Sequence, residues 1–137
     1  MSGYTARATA ISGRAGHVES SDKVVNFDLS LPKELGGPGK PGTSNPEQLF
    51  AAGYAACFGG AMGVAAGEQK LKADNASVTA EVTIDKNDSG FFLAAKLHAK
   101  IPGVDRATTD KIMRRAHEIC PYSKATRGNI KVELVAE

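Results

Sequence analysis

The stretch NPEQLFAAGYAACFGGAMGVAAG, residues 45–67, decides how this chain folds. Asn45 suits a helix N-cap, Pro46 fits the first helical position, and Gln48 is spaced to bond back to the cap. The spacing predicts a helix from Pro46 to about Gly67. Leu49, Gly53, Ala56, Gly60 and Val64 fall on one stripe of it. Ala52, Ala56 and Gly60, like Gly59 and Gly63, recur at a small-xxx-small spacing that lets another backbone come close. Near the middle stands Cys57, one of only two cysteines in the 137 residues. A cysteine in such a segment suits a small core residue and a protected nucleophile alike.

Upstream, residues 4–11 (YTARATAI) read as a weakly alternating strand, followed by a turn at SGRAGH and a cleanly alternating VVNFDLSL. In that second strand Val25, Phe27, Leu29 and Leu31 are expected to face a core and Asn26, Asp28 and Ser30 to face water. The Gly/Pro-rich PKELGGPGKPGTSN then excludes long regular structure. It is no phosphate loop, because Glu34 stands where the Walker spacing before Lys40 requires glycine. Downstream, ASVTAEVTID and FFLAAKLHAKI joined by KNDSG predict a hairpin, with Phe91, Leu93, Ala95, Leu97, Ala99 and Ile101 on one face. A helix is expected over Ala107–Ile119, carrying Ile112, Ala116, Ile119 and Cys120 on one side and stopped by Pro121. NIKVELVA reads as a closing strand. Strands, helix, hairpin, helix and strand without β-α-β alternation give an α+β class, in one domain spanning 1–137.

A net charge of +2 and the absence of a basic run interleaved with aromatics argue against a nucleic-acid binder. The N-terminus lacks the order of a signal peptide, and the apolar 51–67 stretch is short, rich in Gly and Ala, and followed at once by EQKLKAD. A soluble cytoplasmic protein without a membrane partner is expected, and there structural disulfides are uncommon.

Cys57 and Cys120 read as buried core residues or as a redox pair. No CxxC or CxxH flanks either, which argues against zinc or another metal. A cysteine at mid-helix gains little from the helix dipole, and in apolar surroundings its pKa rises, so a reactive Cys57 needs a cation brought from elsewhere. His17, His98 and His117 share no motif, and His98 should point outward from its strand. No G-x-S-x-G occurs, which disfavours a serine hydrolase, and a cysteine hydrolase remains open.

Two stretches, NPEQLFAAGYAACF (45–58) and CPYSKATRGNI (120–130), resemble the organic hydroperoxide resistance proteins, the Ohr branch of the OsmC/Ohr superfamily. SGRAGHVESSDKVVNFDLSLPKELGGPGKPG is similar to the corresponding part of that branch, so the likeness covers nearly the whole chain. The resemblance implies antiparallel β-sheets wrapped around central helices in an intertwined homodimer, with active sites at the subunit interface. It implies a thiol peroxidase that reduces organic and lipid hydroperoxides, binds no cofactor, and is re-reduced by the lipoyl dithiol of a partner protein. By position, Cys57 matches the peroxidatic cysteine, Cys120 the resolving one, Arg14 in SGRAG the catalytic arginine and Glu47 in NPEQ its carboxylate partner. Phe50, Phe58, Met62 and Tyr122, with Ile112 and Ile119, are candidates for an apolar substrate pocket; Tyr54 is expected to shape the same wall, and Arg127 to pin a loop through backbone carbonyls. Two departures flank these positions: GTSNPEQ carries Ser44 as an extra residue, and SGRAGH replaces the more usual GGRDG. An OsmC-type osmotically inducible peroxidase and a redox sensor without turnover are the alternative readings.

Overall fold

The structure, a computed structural model, describes residues 3–137. These fall into two compact units, one up to Leu49 and one spanning Phe50–Glu137.

In the first unit β1 (Ala8–Ile11), β2 (His17–Ser20) and β3 (Asn26–Asp28) form an antiparallel sheet in that order. The SGRAGH turn is a 3-10 turn over Gly13–Ala15 that holds Arg14 at its centre. Gly16 closes it: a Cβ there would stand 1.8 Å from the Ile11 carbonyl oxygen, so only glycine fits. Strand pairing covers less than the expected 4–11 and ends at Asp28 on the other side. Val25 and Phe27, expected in a core, are 38% and 42% exposed, because only Leu29 and Ser30 are buried among the described residues of this unit. A three-stranded sheet with so little covering one face leaves its alternating apolar side in the open.

The extra Ser44 is stitched into this unit. Its amide donates to Asp28 O (2.8 Å), its carbonyl accepts from Ser30 N, and its hydroxyl donates to Gln48 Oε1 (2.9 Å). Asn45 Oδ1 accepts from Gln48 N at 2.9 Å, the expected N-cap. The return arm of a capping box is redirected: the Gln48 side chain bonds Ser44. The helix so started, α1, runs Pro46–Glu68.

The second unit holds most of α1, then β4 (Ser77–Asn87) and β5 (Gly90–Lys100) as the expected hairpin, α2 (Arg106–Ile119), α3 (Pro121–Thr126) and β6 (Val132–Ala136). The closing strand β6 pairs parallel to β5, so this sheet is mixed. Its core joins Tyr54, Phe58, Met62 and Ala65 of α1 to Leu97 and Ala99 of β5 and to Ile112, Met113 and Ala116 of α2. Each fully buried large side chain contributes about 2 kcal/mol. Asp105 caps α2 by accepting from Thr108 N at 2.7 Å, and the Ile112–Ala116–Cys120 stripe is buried as its spacing predicts.

Three expectations shift here. The hairpin face is buried only from Ala95 onward, and Phe91 at its tip is 68% exposed beneath the Lys86 ammonium. On α1 the bulky side chains select the buried face, so the stripe of Ala56, Gly60 and Val64 is exposed along with Gly63 and Gly67. By length and composition alone α1 is apolar enough to cross a membrane. Pro121 not only ends α2 but also sits at the first turn of α3, where its missing N–H costs nothing.

Candidate active site

Cys57 and Cys120 lie 63 residues apart in sequence, and folding brings their sulfurs to 3.6 Å. Cys57 sits mid-way along α1 and is partly exposed; Cys120 is the joint between α2 and α3 and is fully buried. Both are free thiols, so a small further approach suffices to reach the roughly 2.05 Å of a disulfide. Burial pushes the Cys57 thiol up from its ordinary value; the backbone amide of Tyr122 bonds it and pulls the other way, and Cys120 adds to the rise. Within this unit, then, burial favours the thiol form of Cys57 over the thiolate.

The four candidate pocket residues divide by exposure. Phe58 and Met62 are fully enclosed in the core, whereas Phe50 is half-buried and Tyr122 is 41% exposed. Phe50, Tyr54 and Tyr122 pack as an aromatic group, with ring centroids 5.8–6.5 Å apart. The Tyr122 ring lies over α1 at Gly53, where a Cβ would meet its hydroxyl at 2.9 Å. Tyr54 does not line a surface; it is buried, and its hydroxyl bonds Ser123 and Thr126. Of the other pocket candidates Ile112 is buried and Ile119 packs against the core.

In the first unit Arg14 and Glu47 form a bidentate pair, Nη1 to Oε2 at 2.9 Å and Nη2 to Oε1 at 2.7 Å. Such a fork fixes the guanidinium plane as well as its charge. The bond from Arg14 holds the Glu47 carboxyl below its ordinary value, and the Glu47 bond raises Arg14, so both stay ionised. The sequence-derived residues therefore come together as two pairs, one of charges and one of sulfurs.

Reading the sequence missed the hydroxyl network behind Cys120. His117 Nδ1 bonds Ser123 Oγ at 2.7 Å, and burial together with the Arg127 charge pulls the His117 pKa down. Arg127 donates to the His117 carbonyl at 2.9 Å, the backbone pinning expected of it. The only trace of this network in the sequence was Pro121, which also starts a helix and so places Ser123 in its first turn. His98 pairs with Glu81 on the exposed side of the hairpin. Among the described residues no group of three His, Cys, Asp or Glu could hold a metal ion.

The fold is of the α+β class, and comparison with known proteins makes the assignment specific. A sequence model of the OsmC-like protein family matches residues 37–135. The chain belongs to the OsmC-like family, in its organic hydroperoxide resistance branch. It is 52% identical over 132 residues to the organic hydroperoxide resistance protein of Xanthomonas axonopodis pv. citri (strain 306), covering 96% of this chain and 92% of that one. Among solved structures, an organic hydroperoxide resistance protein from Legionella pneumophila superposes with a TM-score of 0.91 at 46% identity, covering 100% of this chain and 99% of the other. The organic hydroperoxide resistance protein OhrB of Bacillus subtilis gives 0.89 at 46% identity, with 98% of each chain covered.

Proposed function

We propose that this protein confers resistance to organic hydroperoxides as a cytoplasmic thiol peroxidase that reduces organic and lipid hydroperoxides to alcohols. Its relatives are named for organic hydroperoxide resistance. The observation that carries the reading is the 3.6 Å approach of two free cysteines, one partly exposed and one buried. The Cys57 thiolate attacks the distal oxygen of the peroxide; the S–O bond forms, the O–O bond breaks, and the alkoxide leaves and is protonated to an alcohol. Cys120 then condenses with the Cys57 sulfenic acid, releasing water and forming a Cys57–Cys120 disulfide. A lipoyl dithiol on a partner protein takes over that disulfide by exchange and restores both thiols.

Arg14 supplies the charge that Cys57 lacks. A guanidinium stays protonated, so it favours the thiolate and the departing alkoxide without giving up a proton, and Glu47 fixes its plane. Glu47 and Cys57 stand ten residues apart on one helix, about 15 Å along its axis. An arginine bound to that glutamate is thus badly placed for the cysteine of the same helix, and the cation for each Cys57 comes from a second copy. The exposed small-residue stripe of α1 and the uncovered Val24 (81%) and Phe27 (42%) of the first unit support a homodimer that closes over them.

The test is steady-state turnover of cumene or fatty-acid hydroperoxide with dihydrolipoamide, wild type against Cys57→Ser. Sustained turnover lost in the variant is expected. A single stoichiometric burst in the wild type would replace the enzyme with a sensor, and a preference for hydrogen peroxide would favour an OsmC-type activity. Sedimentation should find a dimer; a monomer with full activity would defeat the shared site.

A further inference from the structure

Three helices carry the two sulfurs, and one set of hydroxyls ties all three together. Tyr54 lies one turn before Cys57 on α1, His117 one turn before Cys120 on α2, and Ser123 one turn after Cys120 on α3. Tyr54 and Ser123 are completely buried and Thr126 nearly so. The contacts are His117 Nδ1 to Ser123 Oγ (2.7 Å), Ser123 Oγ to Tyr54 OH (2.8 Å), Tyr54 OH to Thr126 Oγ1 (3.1 Å), and Thr126 Oγ1 to the Ser123 carbonyl (3.2 Å).

Counting protons gives these bonds a direction. The carbonyl only accepts, so Thr126 must donate to it. Thr126 has then spent its proton and Tyr54 must donate to Thr126; Ser123 must donate to Tyr54; and His117 must donate to Ser123 from Nδ1–H. No other assignment satisfies all four contacts with one proton per hydroxyl. Burial and the Arg127 charge favour the neutral ring, which places its single proton on Nδ1 and leaves Nε2 bare. A Ser–His contact of this kind suggests a nucleophile, but Ser123 is sealed from solvent and its proton points to Tyr54, so it is not one.

We infer that the His117–Ser123–Tyr54–Thr126 relay is a positioning device for the resolving step, holding the α2–Cys120–α3 joint against α1 so that the Cys120 sulfur meets Cys57. This rests on the peroxidase reading above. In that step the Cys57 S–O bond breaks as the S–S bond forms; the hydroxide leaves with the Cys120 proton as water, Cys120 is oxidised and the sulfenic sulfur reduced. The competing reaction is attack of the sulfenic acid on a second hydroperoxide, which yields a sulfinic acid and another alcohol. The two outcomes share one intermediate, so their ratio measures how well Cys120 is presented and is independent of how fast the first step runs. It separates positioning from mere stability, which would move the melting temperature without moving the partition.

The experiment treats reduced full-length protein with a graded excess of cumene hydroperoxide without reductant, and reads disulfide against sulfinic acid by intact mass. Tyr54→Phe and Ser123→Ala should raise the sulfinic-to-disulfide ratio about tenfold, within the range expected of sub-ångström misplacement. His117→Asn, which keeps a donor near the Nδ1 position, should stay close to wild type, and His117→Leu should follow Ser123→Ala. If Ser123→Ala fails to fold, the near-isosteric Thr126→Val breaks the same chain. An unchanged ratio in a folded Tyr54→Phe or Thr126→Val protein overturns the inference, as does His117→Asn behaving like His117→Leu. A wild type that forms no disulfide at all defeats instead the peroxidase reading.

Discussion

The two units hold their reactive groups by opposite means. In the second, Cys57 and Cys120 rest against a dry core, and burial drives the Cys57 thiol away from ionisation. In the first, the Arg14–Glu47 pair links the Gly13–Ala15 turn to the first turn of α1, in a unit whose thin sheet leaves apolar side chains open to solvent, and both partners stay charged. A core fixes sulfur geometry to within a fraction of an ångström but removes the electrostatic help a thiolate needs. A partly solvated turn keeps a guanidinium charged but has no nucleophile to offer. Each pair has what the other lacks, which is why the proposed peroxidase calls for both.

The comparison breaks most sharply at the sulfurs. Cys57→Ser should abolish peroxide consumption, to background in a turnover assay, and Cys120→Ser should allow one oxidation and then leave Cys57 to over-oxidise, visible as mass gained at that residue. Next is the charge: Arg14→Ala should lower kcat/KM by about 10²-fold, as removing one donor to a developing oxyanion does. The same variant should shift the pH profile of Cys57 alkylation upward, because the thiol loses its cation; an unshifted profile would separate Arg14 from Cys57 altogether. Arg14→Lys should not restore the rate, since an ammonium cannot make the fork to Glu47.

Glu47→Gln should have a smaller effect, about tenfold on kcat/KM, by loosening rather than removing the guanidinium. It also has a signature in pH. The Glu47 carboxyl is held below its ordinary value in the folded state, so its contribution to stability is complete above the ordinary carboxylate range and is lost as pH falls through the lowered value. Thermal melts of Glu47→Gln across the acid range should lack that decline. Smallest is Ser44→Ala, which removes one hydroxyl bond to Gln48 and should cost about 0.5–1 kcal/mol by denaturant titration. A much larger loss would mean that the extra residue positions the first unit, not merely the start of α1.

Much of this site was legible in the chain. Asn45-Pro46 announced the start of α1, the apolar stripe and Pro121 announced α2, and the two motifs around Cys57 and Cys120 singled out the residues that pair, because caps, periodicity and motif wording are all local. The order of elements also determined the α+β class, and the family resemblance pointed to Arg14 and Glu47. Only tertiary structure decided the rest. Alternation in VVNFDLSL said which side of the strand is apolar, but whether anything covers Val25 and Phe27 depends on what packs there. Gly and Ala on α1 made two faces nearly equal in hydrophobicity, and only contact with the sheet and α2 chose the Tyr54–Phe58–Met62 side. The parallel pairing of β6 and the hydroxyl relay behind Cys120 join residues far apart in sequence or aligned by helix geometry, and no local spacing specifies them. Above all, the 3.6 Å between the sulfurs is set by the packing of three helices around buried aromatic and hydroxyl groups, a property of the assembled core.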